Sequence, residues 1–125
     1  MTYRLPKPGS DRTPDPALYA DFLEALGRVI ERDISVTVHG YRISPPKRAG
    51  SYALSIEVPR TVRDRSTGEL AYVVGVRGAN MYRPAHVASG LALDLAADRE
   101  RRARMLAEDG RAVLDGKGTP TPGGS

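Results

Sequence analysis

Apolar and polar positions change their period twice along this chain. Leu18, Phe22, Leu26, Val29 and Ile30 recur at helical spacing, with Asp21, Glu24, Arg28 and Glu31 on the other side, and this predicts an amphipathic helix. Asp15 supplies an N-cap, and Pro16 occupies the first helical position, where its missing N–H costs nothing. The period then becomes two. Ile34, Val36 and Val38 alternate with Ser35, Thr37 and His39, and after Gly40 the parity changes to Tyr41 and Ile43, so a first strand with a bulge or bend at the glycine is expected. "SPPKRAG" is a turn signal, because its two prolines cannot donate to a ladder. Tyr52, Leu54, Ile56 and Val58 alternate with Ala53, Ser55 and Glu57 in a second, half-buried strand that should stop at Pro59.

"RTVRDRSTGE" reads as the charged connection of a long hairpin leading to a third strand, Leu70 to Arg77. Leu70, Tyr72, Val74 and Val76 share one face, while Ala71, Val73 and Gly75 keep the other apolar or small. Such a two-sided pattern predicts a central strand. "RGAN" should turn the chain, with "MYR" returning as a short fourth strand before Pro84. Helical spacing resumes from about Ala85 through Val87, Ala88, Leu91 and Leu95. "DRERR" interrupts it before Ala103, Leu106 and Ala107 restore it, so either one long helix leaves the core and returns or two helices meet there. Gly110 would cap or interrupt the second part. The expected fold is α+β in α-β-β-β-α order. It consists of an N-terminal helix, an antiparallel three- to four-stranded sheet, and a C-terminal helix or helix pair packed on one face. Residues 1–14 hold three prolines and read as a flexible arm, residues 115–125 as a flexible Gly/Pro-rich tail, and 15–114 as a single domain.

Composition narrows the chemistry. Without cysteine there is neither a disulfide framework nor a thiolate metal site, and His39 and His86 stand alone among scattered carboxylates, so no metal and no cofactor is expected. "GVRGAN" has the spacing of neither a dinucleotide fingerprint nor a phosphate loop, and Ser89-Gly90 is not a nucleophile elbow. The 125 residues carry 19 Lys+Arg against 15 Asp+Glu, a net charge of +4 supplied mainly by arginine, which favours an anionic partner such as nucleic acid, ribosomal or other RNA included, or an acidic surface. No apolar run reaches the length of a membrane span, and the first residues lack the apolar segment of a secretion signal, so no membrane association and no address are expected. With a single Phe and no Trp, the core should be aliphatic with added tyrosines, each seeking a partner for its hydroxyl.

The element order resembles that of double-stranded RNA binding domains, with Arg83 and His86 at the start of the last helix as the basic positions that the resemblance would use. "AYVVGVRGAN" resembles the Tyr-Val-x-Gly-Tyr-x-x-x-Asn segment of ribosome-inactivating proteins, the ricin and Shiga toxin A-chain family of ribosomal RNA N-glycosylases. Tyr19 and Phe22 resemble that family's early helix, "YALSIEV" its preceding strand, and "MLAEDGRAVLDG" its Glu-Ala-x-Arg-Phe helix, with Glu108 and Arg111 three residues apart. This resemblance implies removal of adenine from ribosomal RNA. Glu108 would stabilise the oxocarbenium-like sugar and orient water, Arg111 would bring positive charge to the departing base, and Tyr72 would stack on it. Arg77, Asn80 and Tyr82 would complete the substrate side. The family's chains are about twice as long, and its tryptophan has no counterpart here. The other expectation is a non-catalytic basic module that binds nucleic acid or protein, or a component of a larger assembly that orders its tails on binding.

Overall fold

Asp15 accepts hydrogen bonds from the backbone N–H groups of Ala17, at 2.7 Å, and Leu18, at 3.3 Å, and so starts α1 (Pro16–Arg32) as its sequence predicts. The helix ends where Asp33 adopts a left-handed conformation and its N–H returns to the Val29 carbonyl. The computed structural model describes residues 13–114, with side chains through Gly110, so the expected tail and nearly all of the expected arm lie outside the described residues.

The change of parity at Gly40 is a tight hairpin and not a bulge. β1 (Val36–Val38) pairs antiparallel with β2 (Tyr41–Ser44), Val38 opposite Tyr41, across a two-residue turn in which both His39 and Gly40 have positive φ. Two left-handed central residues match the twist of the flanking strands, which is why the turn flips the side-chain parity without breaking the pairing. β3 (Ala53–Arg63) runs past Pro59, where the sequence pattern predicts a stop. Pro59 is tolerated because residues of its parity direct their peptide groups away from β4, and β2 pairs with β3 only as far as Glu57, so no ladder donor is required there. The hairpin loop is shorter than the charged connection predicted. Asp64 folds it by accepting from the Ser66 and Thr67 backbones, and Asp64 N–H meets the Glu69 carbonyl at 2.8 Å.

β4 (Leu70–Asn80) takes in "RGAN", the segment expected to turn, and Met81 and Tyr82 form the turn where a fourth strand was expected. The sheet order is β1-β2-β3-β4, all antiparallel. β4 is therefore an edge strand, in contrast to the central position that its two-sided apolar pattern predicts.

α2 (Pro84–Leu114) is one continuous helix that passes through Gly110. It and α1 pack on one face of the sheet, burying Leu18, Phe22, Leu26 and Val29 against Tyr41, Ile43, Leu54, Ile56 and Val58, with Ala88, Leu91, Ala92 and Leu95 closing the cluster. The α+β architecture is the expected one. The stripe at Ala103, Leu106 and Ala107 does not return to the core; all three are exposed, and Leu106 keeps about half of its surface. No described helix is long and apolar enough to cross a membrane.

Two glycines test this local reading with opposite signs. Gly40→Ala places a Cβ on a residue with φ of +83° and should lower stability by about 1–2 kcal/mol. Gly27→Ala lies within α1 with nothing within 4 Å of the new carbon, and should raise stability by about 0.5–1 kcal/mol in urea unfolding.

Candidate functional site

Asp94 sits on the packed face of α2 between Leu91 and Leu95, with only 14% of its side chain exposed. A carboxylate there must be partnered or neutralised. Arg60 of β3 grips it with two nitrogens, Nη1 to Oδ2 at 2.7 Å and Nη2 to Oδ1 at 2.5 Å, and the Tyr41 hydroxyl of β2 donates to Oδ2 at 2.6 Å. Arg77 of β4 reaches Oδ1 at 4.0 Å. One helical carboxylate thus contacts three successive strands. Burial alone would raise its pKa, but the hydrogen bonds from Arg60 and Tyr41 outweigh burial and hold the carboxyl below its ordinary value. Burial, reinforced by the bond to Asp94, pushes the Tyr41 phenol well above its usual value, so it stays a donor at neutral pH. Tyr41 is a buried tyrosine whose hydroxyl finds the partner that its composition demands.

One turn further on, Asp98 performs a different task. Its carboxylate accepts from the Thr61 backbone N–H at 3.1 Å and from the Thr61 hydroxyl at 3.2 Å, while Arg101 bonds both Asp98 and, at 3.1 Å, the Thr61 carbonyl. Both peptide groups of Thr61 that point away from β4 are thereby satisfied by helix side chains beyond the place where β2 ends. The pair substitutes for a neighbouring strand. Near the hairpin tip Arg63 meets Asp109 at 3.1 Å, which ties the outer half of α2 to β3.

The opposite edge of the hairpin has no such cover among the described residues. Three hydrogen bonds set its phase: Thr61 N–H points away from β4, Asp64 N–H bonds Glu69, and Met81 N–H bonds the Tyr52 carbonyl. With the unbroken register between β3 and β4, the odd-numbered residues of β4 bond β3, and Leu70, Tyr72, Val74, Val76 and Gly78 present N–H and C=O outward. The same even-numbered residues carry the exposed apolar stripe. Tyr72, Val74 and Val76 keep 57%, 62% and 70% of their surface, and Val73 on the other face keeps 48%.

No family model, curated protein or solved structure matches this chain. Its site is therefore judged on geometry alone.

The residues singled out by the ribosome-inactivating resemblance fall as follows. Tyr72 stands on the open strand with the Arg102 guanidinium 5.1 Å from its ring centre. Arg77 leans towards Asp94 and borders two shallow clefts, one of about 370 Å³ with Lys47 and Arg48 and one of about 280 Å³ with Arg83 and His86. Asn80 caps the following turn by accepting from Tyr82 N–H at 2.8 Å, and the Tyr82 ring stacks on Tyr52 with centroids 6.0 Å apart. Glu108 is exposed on the outer half of α2. The Arg111 side chain lies outside the described residues, and no group of three or more potential metal ligands occurs among those described.

Sequence reasoning missed Asp94, Asp98, Arg60 and Tyr41 as a set. The legible signal was a pair of acids four residues apart inside an apolar helical stripe, where a solvated carboxylate has no place.

Asp94→Asn should cost about 2–4 kcal/mol at neutral pH, because Arg60 loses its charged acceptor while partly buried. The depressed folded pKa means that the charge of Asp94 stabilises the fold above about pH 4, its unfolded value, and that this contribution disappears as pH falls through the lower folded value. Urea titrations at pH 7 and pH 3 should therefore show a smaller gap between wild type and variant at pH 3.

Proposed function

We propose that this protein is a non-catalytic protein-interaction module whose working surface is the open edge of β4, and that it binds by accepting an added strand. The observation that carries this reading is the coincidence on one strand of outward peptide groups and exposed apolar side chains. An edge is ordinarily blunted by shortness, by charge, by proline or by a covering element. β3 shows such protection within the same hairpin, through Asp98 and Arg101. β4 is 11 residues long, holds no proline, and has Arg77 as its one charged residue. Strand addition satisfies the peptide groups and gives alternate side chains a neighbour, so affinity and register come from one contact. The pattern that reads as a central strand is then accounted for, since β4 becomes central in the complex.

A soluble strand peptide of alternating Thr and Val provides a probe. It should bind wild type saturably and with little dependence on salt, and binding should be lost in Val74→Pro, which removes an outward N–H while leaving the ladder to β3 intact. Val73→Pro removes an N–H bonded to β3 and should lower stability by about 3 kcal/mol or more in urea unfolding. Equal destabilisation by the two prolines contradicts the assigned edge. Binding to RNA with steep salt dependence and none to the peptide favours the nucleic-acid module instead. The ribosome-inactivating resemblance leads to its own expectation, release of adenine from purified ribosomes that is lost in Glu108→Ala; the interaction reading expects no release.

A further inference from the structure

We infer that the added strand is β4 of a second copy of this chain, paired antiparallel about a two-fold axis at Gly75. This rests on the reading of β4 as a strand-accepting edge and names its occupant.

Self-pairing requires the edge to complement itself, and β4 does. With Gly75 opposite Gly75 of the second copy, all 11 residues are paired. Val74 then lies opposite Val76, Tyr72 opposite Gly78 and Leu70 opposite Asn80. The residues of the Val74–Val76 and Tyr72–Gly78 pairs are even-numbered, the parity whose peptide groups point outward, so each forms a hydrogen-bonded pair, while the Asn80 carbonyl is already taken by the Arg83 N–H at 3.1 Å. The exposed stripe on one face becomes continuous across the axis, with four valines at its centre and a tyrosine ring over a glycine at each end. An aromatic laid over a cross-strand glycine is a known way to cover exposed backbone. On the other face Arg77 falls opposite Val73, so the only charge on the strand does not meet its own copy. Like charges directly opposite would oppose pairing.

Nothing among the described residues of one chain requires glycine at position 75. Its φ is not in the left-handed region, and a Cβ built on it meets nothing within 4 Å. Glycine in a strand interior weakens the strand unless a turn, a bulge or a closely approaching backbone calls for it. In the two-fold arrangement Gly75 occupies a non-hydrogen-bonded pair, where the Cα atoms approach to about 4.5 Å, the closest spacing in an antiparallel sheet. The ends of the chain are poorer occupants, since Pro6, Pro8, Pro120 and Pro122 with their glycine neighbours are weak strand formers.

The absence of cysteine from the chain makes a direct test possible. Gly75→Cys should oxidise to a disulfide-linked dimer, because facing Cα atoms on the axis lie within disulfide reach, whereas Val73→Cys should not, its copy lying four residues away along the strand. In sedimentation of the full chain, wild type should be a dimer at about 100 µM, and Val74→Pro should raise the dissociation constant at least about tenfold with the circular dichroism unchanged. Val76→Lys serves as the second variant if the proline disturbs folding. A dimer unaffected by either variant, or one that cross-links at Val73 and not at Gly75, overturns the inference. A monomeric wild type overturns it as well. If that monomer still binds the Thr/Val strand peptide, the strand-accepting reading stands and only the occupant is wrong; if it does not, both fail.

Discussion

Every peptide group in a sheet needs a partner on each side, and this requirement organises the molecule. β2 serves one side of β3 as far as Glu57, and further along that side Thr61 is served by Asp98 and Arg101 from the helix. The placement of α2 follows from it. Asp94 draws the side chains of Arg60 and Tyr41 to the same helix one turn earlier, so it and Asp98, which satisfies the Thr61 peptide, both hold the helix against the sheet. The one long strand edge in the hairpin left without this service is the outer edge of β4.

That asymmetry connects folding to function. A domain that closes one edge with an acid-arginine pair, Asp98 and Arg101, and leaves the other apolar has the means of blunting an edge and does not use it there. The exposed Val74 and Val76 of β4 contribute nothing to the core, which lies on the other face of the sheet under the two helices. In the proposed complex an added strand would remove that apolar area from water as well as form hydrogen bonds.

Much of this fold was legible in the residues, and the exceptions have physical causes. Asp15 and Pro16 announce α1 because capping is local chemistry, and the alternation through Leu54 to Val58 announces β3 because only one of its faces is buried. A two-residue turn and a bulge both shift parity by one, so the pattern at His39 and Gly40 signals a bulge or bend without specifying the hairpin. Pro59 was read as a stop because proline forbids a ladder bond, yet nothing in the local sequence says that the ladder on that side has already ended. Leu106 belongs to a helical stripe that nothing among the described residues covers. Asp94 and Arg60 are 34 positions apart, and their pairing depends on a packing that periodicity does not encode. For β4 the pattern reports that both faces favour burial, but not which chain buries them. Tyr72, the residue that links the strand to the ribosome-inactivating resemblance, stands on that edge with the Arg102 guanidinium over its ring.

The most direct measurement is amide hydrogen exchange along β4 at two protein concentrations, resolved by residue. Dilution should leave Ala71, Val73 and Gly75 protected by β3 and should speed exchange at the outward-facing Tyr72, Val74, Val76 and Gly78. Protection that is the same for both parities, or that does not change with concentration, would contradict an open edge filled by a second copy.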